Sequence, residues 1–266
     1  MARFEGFDDE IFDFYRRRKD ADLIDLVRRT MERFGNAVLR NGLRDLDRSF
    51  YREPHVGQFH PEEDVTIWVA FGFKKLENLL DSAHQTVSLS VRGLDVYVRV
   101  GSVAAINLLK QGIRNNEEVF SNIVGGLPEP FEVQIRERTE LRPMRWPIGE
   151  PILTLAPAEA RNPTSGGFME LKRLLHEIDY PHFSLRKRLE RKRVVEFGGN
   201  AVVGEVVSIM KAFQPLVTFI NESCIEKHEH FTRATAEADL RQLVAQAKEL
   251  EAQIAALTER ERNGGP

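Results

Sequence analysis

Hydrophobic and polar residues alternate most strictly between Thr86 and Val100. Val87, Leu89 and Val91 alternate with Thr86, Ser88 and Ser90, and Leu94, Val96, Val98 and Val100 alternate with Asp95, Tyr97 and Arg99. A period of two places each set on one face of a strand, and Arg92-Gly93 between the runs predicts a two-residue hairpin loop. That loop pairs Val91 with Leu94, Leu89 with Val96 and Val87 with Val98. Ser90 then faces Asp95, Ser88 faces Tyr97 and Thr86 faces Arg99, with His84 continuing the polar row.

Other segments carry the same period. FEVQIRER at 131–138 predicts a strand. In HFSLRKRL, Phe183, Leu185 and Leu189 point one way, while His182, Ser184, Arg186 and Arg188 point the other. VTIWVAFG is read as the start of the sheet, after a Pro54-His55 corner, and Trp68 within it joins the polar face. The prolines of PILTLAP, 151–157, confine that strand to an edge.

Helical spacing fills the rest. Phe7, Ile11, Phe14 and Tyr15 predict one helix, with Asp8 as its N-cap; Leu23, Leu26, Val27, Thr30, Phe34 and Val38 predict a second, ending at Asn41-Gly42. Ser102 is placed to cap a helix carrying Val103, Ile106, Leu109 and Ile113. Gly166-Gly167 precedes a short helix reaching Glu177, and a long one is expected from Asn200 past Phe219. From Thr232, Ala236, Leu240, Leu243, Ala247, Leu250, Ile254 and Leu257 recur at steps of four and three, the seam of a coiled coil. Such a tail would project ~45 Å if it stood free. The expected organisation is an α+β domain over 1–228, a coiled-coil tail over 229–262 that makes a homodimer through 232–262, and a disordered terminus at 263–266.

The chain has 266 residues, 42% hydrophobic and 30% charged, with a formal net charge of -3, which fits a globular protein with a sizeable core. No apolar run approaches the 18 residues of a membrane span, and MARFEGFDDE lacks the regions of a signal peptide. A cytoplasmic protein with no membrane partner is expected. The single cysteine, Cys224, excludes an intrachain disulfide and a cysteine-based zinc cluster, and is read as a packing residue.

Candidate chemistry gathers on the polar sheet face. His84, Thr86, Ser88, Tyr97 and Arg99 share a side, and His182, Ser184, Arg186 and Arg188 join them if their strand lies in the same sheet; Trp68 completes the set. Aromatic and basic side chains on a sheet suit base stacking and phosphate neutralisation. A solvated face explains the same alternation without a ligand. The run RKRLERKR, 186–193, carries six positive residues in eight, and Arg16-Arg17-Arg18-Lys19 forms a second cluster. Both suit polyanions, although the pI of 6.2 is low for a dedicated nucleic-acid binder.

His55, His60 and His84 lie near Glu62, Glu63, Asp64 and Asp81, which are acceptable ligand types for a metal, but their spacing matches no HExxH or loop signature. No metal or other cofactor is expected. GxxxxGK[ST], GxGxxG after a strand and GxSxG are all missing, which removes the common nucleotide-cradling and serine-hydrolase readings.

The words PHVGQFHPEEDVTIWVAFG, FEGFDDEIFDF, the hairpin from His84, the helix after Gly101, HFSLRKR and FQPLVTFIN resemble, in order and spacing, the YktB-like family of uncharacterised bacterial proteins. The resemblance covers residues 4 to 222, with a departure over 138–165 and in the coiled-coil tail. It implies a two-layer α+β fold with a curved antiparallel sheet packed on helices, and it brings no catalytic residues. Two functions follow as expectations. The first is a non-catalytic binding or adaptor protein whose polar, basic sheet face holds a nucleic acid, a phosphorylated ligand or a protein partner. The second is a hydrolase or phosphodiesterase using His55, His60 or His84 as acid, base or metal ligand.

Overall fold

The two runs that alternate around Gly93 become β3 (His84–Ser90) and β4 (Gly93–Val100), in the middle of one antiparallel sheet. The computed structural model describes residues 4–14, 16–17, 20–43, 55–59, 66–72, 81–137 and 150–221. The remaining strands are β1 (His55–Phe59), β2 (Thr66–Phe71), β5 (Glu132–Glu137), β6 (Leu153–Leu155) and β7 (Pro181–Glu190). They lie in the order β1-β2-β3-β4-β7-β5-β6, so the fold is α+β. HFSLRKRL is therefore an interior strand, paired with β4 on one side and β5 on the other. PILTLAP is an edge strand, as its prolines require.

The hairpin differs from its expected register by two residues. Leu89 pairs with Leu94, Val87 with Val96, Ser88 with Asp95 and Thr86 with Tyr97, so the loop is Val91-Arg92 rather than Arg92-Gly93. Gly93 is used differently. Its φ of 135° is closed to most L side chains, and a Cβ there would lie 2.1 Å from the Leu189 carbonyl oxygen. The glycine lets β4 approach β7. A slip of two preserves every face, which is why the apolar and polar sets stay together. A second correction concerns β1: the sheet begins one strand before VTIWVAFG, over residues read as a corner. Gly57 and the short run HVGQF carry too little alternation to signal a strand.

Helices cover the apolar face. They are α1 (Ala21–Val38), α2 (Val103–Asn115), α3 (Glu117–Gly125), α4 (Gly166–Glu177) and α5 (Arg191–Asn221). The first expected helix is a 3-10 turn, Asp9–Asp13, and Asp8 precedes it without a side-chain cap. Helix α1 continues into a π-helical turn over Leu39–Leu43. Ser102 caps α2 by accepting from the Ala105 N–H at 3.0 Å, as expected. On the sheet, Phe183 of β7 meets Phe120 of α3, which also contacts Phe168 of α4 and Phe219 of α5. Phe219 in turn abuts Gly112 of α2, and Val207 of α5 abuts Gly42 in the turn after α1.

Helix α5 starts nine residues earlier than expected. Arg191, its first residue, donates to Asp9 Oδ1 at 2.6 Å and Asp13 Oδ1 at 2.9 Å, tying the strand-to-helix junction to the N-terminal turn. Its end is fixed as firmly: the buried Asn221 amide accepts from the Ala83 N–H at 2.9 Å and donates to the Ala83 carbonyl at 2.7 Å. By length and composition α5 could cross a membrane, contrary to the reading of the apolar runs. Here Val202, Val203, Val206, Met210, Phe213, Leu216, Val217 and Ile220 are buried in the core. The described residues belong to one unit, Met1–Glu222. The coiled-coil tail, the 263–266 terminus and Cys224 lie outside them.

The close approach at Gly93 gives a direct check. Gly93→Ala should lower stability by about 2 kcal/mol or more in urea denaturation, since the new methyl meets backbone that cannot yield. An unchanged midpoint would contradict the β4–β7 packing.

Candidate binding face of the sheet

Side chains at alternate positions of five strands share the polar face. One row runs Trp68, Ser88, Asp95, Arg188; the next runs Ala70, Thr86, Tyr97, Arg186, Glu132. A third holds His84, Arg99, Ser184 and Gln134, and His182 pairs with Arg136 beyond it. The register thus brings together Trp68, His84, Tyr97, Arg99, His182, Arg186 and Arg188, all seven residues singled out from sequence. His55 pairs with Ala70 on the far strand β1, and His60 lies outside the described residues.

The face is only partly solvated, which qualifies the simplest reading of its alternation: Trp68, Tyr97, Arg99, Arg186 and Arg188 are half-buried, and the groups among them are buried. His84 is 3% exposed, Thr86 1%, Ser88 7%, Asp95 3%, His182 1% and Ser184 2%. Polar groups at such depth must be hydrogen-bonded or paired to be tolerated. Asp95 meets that requirement. Arg186 donates to its Oδ1 through Nε at 3.0 Å and Nη2 at 2.9 Å; Arg188 donates through Nε to Oδ1 at 2.8 Å and through Nη2 to Oδ2 at 3.1 Å. Guanidinium groups only donate, so these bonds favour the carboxylate form of Asp95. Burial pushes the Asp95 carboxyl above its ordinary value, against the downward pull of Arg186. Sequence reading placed Asp95 on this face without giving it a role. The signal was one acid in a row otherwise basic and neutral, opposite two arginines spaced by two.

Around this triad the groups are neutral or basic apart from Glu132. Arg186 lies 5.9 Å from the Tyr97 ring centre, a cation–π contact, and 3.6 Å from Glu132 Oε2. Burial raises the pKa of the Tyr97 hydroxyl, keeping it a phenol, and lowers that of Arg136. Thr86 Oγ1 is buried and has no hydrogen-bond partner among the described residues. His84 Nδ1 lies 3.1 Å from the Ser82 carbonyl, which assigns the proton to Nδ1. Burial first, then the charge of Arg99, push the His84 pKa down to about 3. A histidine so depressed is a poor acid or base near neutral pH, which removes one support from the histidine-hydrolase reading. Among the described residues no three histidine, cysteine or carboxylate groups converge as metal ligands.

The basic run is committed to partners within the molecule. Besides Arg186 and Arg188 on Asp95, Lys187 lies 3.7 Å and Arg193 3.3 Å from Glu205, Lys192 lies 3.9 Å from Glu196, and Arg191 holds Asp9 and Asp13. In the other cluster Arg17 pairs with Glu10 and Asp20. Counterion release needs cations that are not already neutralised, so the run gives a polyanion less than its letters suggest. Lys187 also belongs to the opposite face, 5.0 Å from the Phe131 ring centre.

The buried neutral His84 makes stability depend on pH. Its folded pKa is below the unfolded value of 6.5, so the unfolded chain binds more protons between the two, and stability is lost as pH falls below 6.5. The slope contributed is up to about 1.4 kcal/mol per pH unit. Denaturant midpoints of the wild type from pH 7.5 to 5 should fall by more than those of His84→Gln. Parallel curves would count against a neutral buried His84. No protein-family model matches this chain and no curated protein sequence matches it, so the chemistry of the face itself is the ground for a functional reading.

Proposed function

We propose that this chain is a non-catalytic binding protein whose polar sheet face receives a phosphorylated ligand. The observation that carries the reading is the convergence of Arg186 and Arg188 on a single buried carboxylate. The named rows carry four arginines, Arg99, Arg136, Arg186 and Arg188, against two acids, Asp95 and Glu132, an excess of positive charge in a low-dielectric surrounding, where an anion is attracted more strongly than in water. The hydroxyls of Thr86, Ser88 and Ser184 on these rows add donors suited to phosphate oxygens.

Among the ligand classes open from sequence, the burial favours a compact phosphorylated molecule over a nucleic-acid strand. A strand needs an accessible stripe on which successive bases stack, whereas Trp68 and Tyr97 are only half-exposed and the residues Ser88 and Thr86 between them are buried. The exposure is graded: the Arg188 side chain is 26% exposed, Arg186 12% and Asp95 5%, so the approach is from the Arg188 side. The same proposal keeps self-association through 232–262, a cytoplasmic setting and the YktB-like affiliation. The antiparallel sheet layered with helices is consistent with that affiliation.

Charge reversal at Arg186 or Arg188 would set two carboxylates together and unfold the site, so neutral variants are the proper probes. Calorimetry with AMP, phosphoserine and their dephosphorylated counterparts should show binding of a phosphorylated compound only. Arg188→Gln should weaken it by about tenfold or more, with an unchanged circular dichroism spectrum. Equal binding of the dephosphorylated partner, or none of any phosphorylated compound, would overturn the reading.

A further inference from the structure

We infer that Asp95 is an internal stand-in for the ligand's anion: it holds Arg186 and Arg188 in the empty protein, and a phosphate takes both from it on binding. The inference rests on the phosphate-binding reading of this face and adds the residue that sets its affinity and selectivity.

The geometry of the triad points to a substitute rather than a complementary partner. A guanidinium offers two parallel N–H groups and is best met by two oxygens, one for each. Arg188 has that arrangement, with Nε on Oδ1 and Nη2 on Oδ2. Arg186 does not: both its Nε and its Nη2 fall on Oδ1, which therefore receives three N–H groups while Oδ2 receives one from these arginines. A carboxylate has two oxygens and cannot give each arginine a pair. A phosphate monoester has three terminal oxygens, enough to meet both forks by sharing one, and it carries more negative charge than the carboxylate. The exchange makes and breaks no covalent bond and moves no proton.

The surroundings fit such an exchange. Arg186 and Arg188 lie at successive polar-face positions of one interior strand, which fixes their spacing whichever anion is between them. Ser88 stands directly across β3 from Asp95, in position to meet a displaced carboxylate. Thr86 Oγ1, one row along and without a partner among the described residues, is an additional donor for the incoming oxygens. An acid already in the fork also explains a selectivity: weakly charged or monodentate anions would gain too little to replace it, and a doubly charged phosphate would gain more.

The test is calorimetry of the full chain with inorganic phosphate and AMP, for the wild type and Asp95→Asn, at low ionic strength and pH 7.5. The carboxamide keeps an acceptor but loses the charge, so Asp95→Asn is expected to bind at least about tenfold more tightly. Should Asp95→Asn fail to fold, the wild type alone decides: the 15Nε resonances of Arg186 and Arg188 should both shift on saturation with phosphate as their acceptor changes. If the wild type binds while Asp95→Asn binds no tighter, the stand-in role is overturned and the phosphate-binding reading survives; if both 15Nε signals stay fixed on saturation, phosphate is not held by these arginines and both fail. If neither protein binds either compound, the phosphate-binding reading fails first.

Discussion

The buried carboxylate of Asp95, closed on by Arg186 and Arg188, is the interaction on which the polar side of the sheet depends. Three charges lie there at low exposure, and removing the shared carboxylate outright would cost about 3–5 kcal/mol because both arginines lose their common acceptor. The triad also joins the halves of the sheet. Asp95 belongs to the β3–β4 hairpin, and the two arginines belong to β7, which carries β5 and β6 beyond it. Strict alternation on these strands then has a double consequence. It delivers Val96, Val98 and Leu185 to the helices, and in the same register Asp95, Tyr97, Arg186 and Arg188 to each other.

On the helical side, apolar packing is joined by polar ties at the two ends of α5. Phe120 and Phe183 join helix and strand, Asn221 clips the end of α5 to Ala83, and Arg191 ties its start to Asp9 and Asp13. The two faces therefore have different chemistry: one is a core, and the other is a partly buried polar surface whose charge is uneven. That unevenness, four arginines to two acids along the named rows, is the physical basis for proposing anion binding at the polar face rather than along the basic run as a whole.

The strands and their faces were legible because period two is a local signal. Thr86 to Val100 and His182 to Leu189 sorted their residues onto the two faces correctly before any pairing was known. The hairpin register was harder, since Gly93 looks like a loop residue and its actual role depends on β7, nearly a hundred positions away. Burial of the polar face was hidden for the same reason: no pattern within a strand tells whether its polar side meets water. The basic run misled because its partners, Asp9, Asp13, Asp95 and Glu205, are distant in sequence from most of its cations. His84 was named correctly as a member of the face, yet its neutral state follows from burial and from Arg99 opposite, which only the register supplies.

A crystal structure of the protein grown with inorganic phosphate tests the central claim most directly. The expected result is phosphate between Arg186 and Arg188, with the Asp95 carboxylate turned toward Ser88. Phosphate absent from this face, with Asp95 still holding both arginines at concentrations that occupy other surface sites, would contradict it.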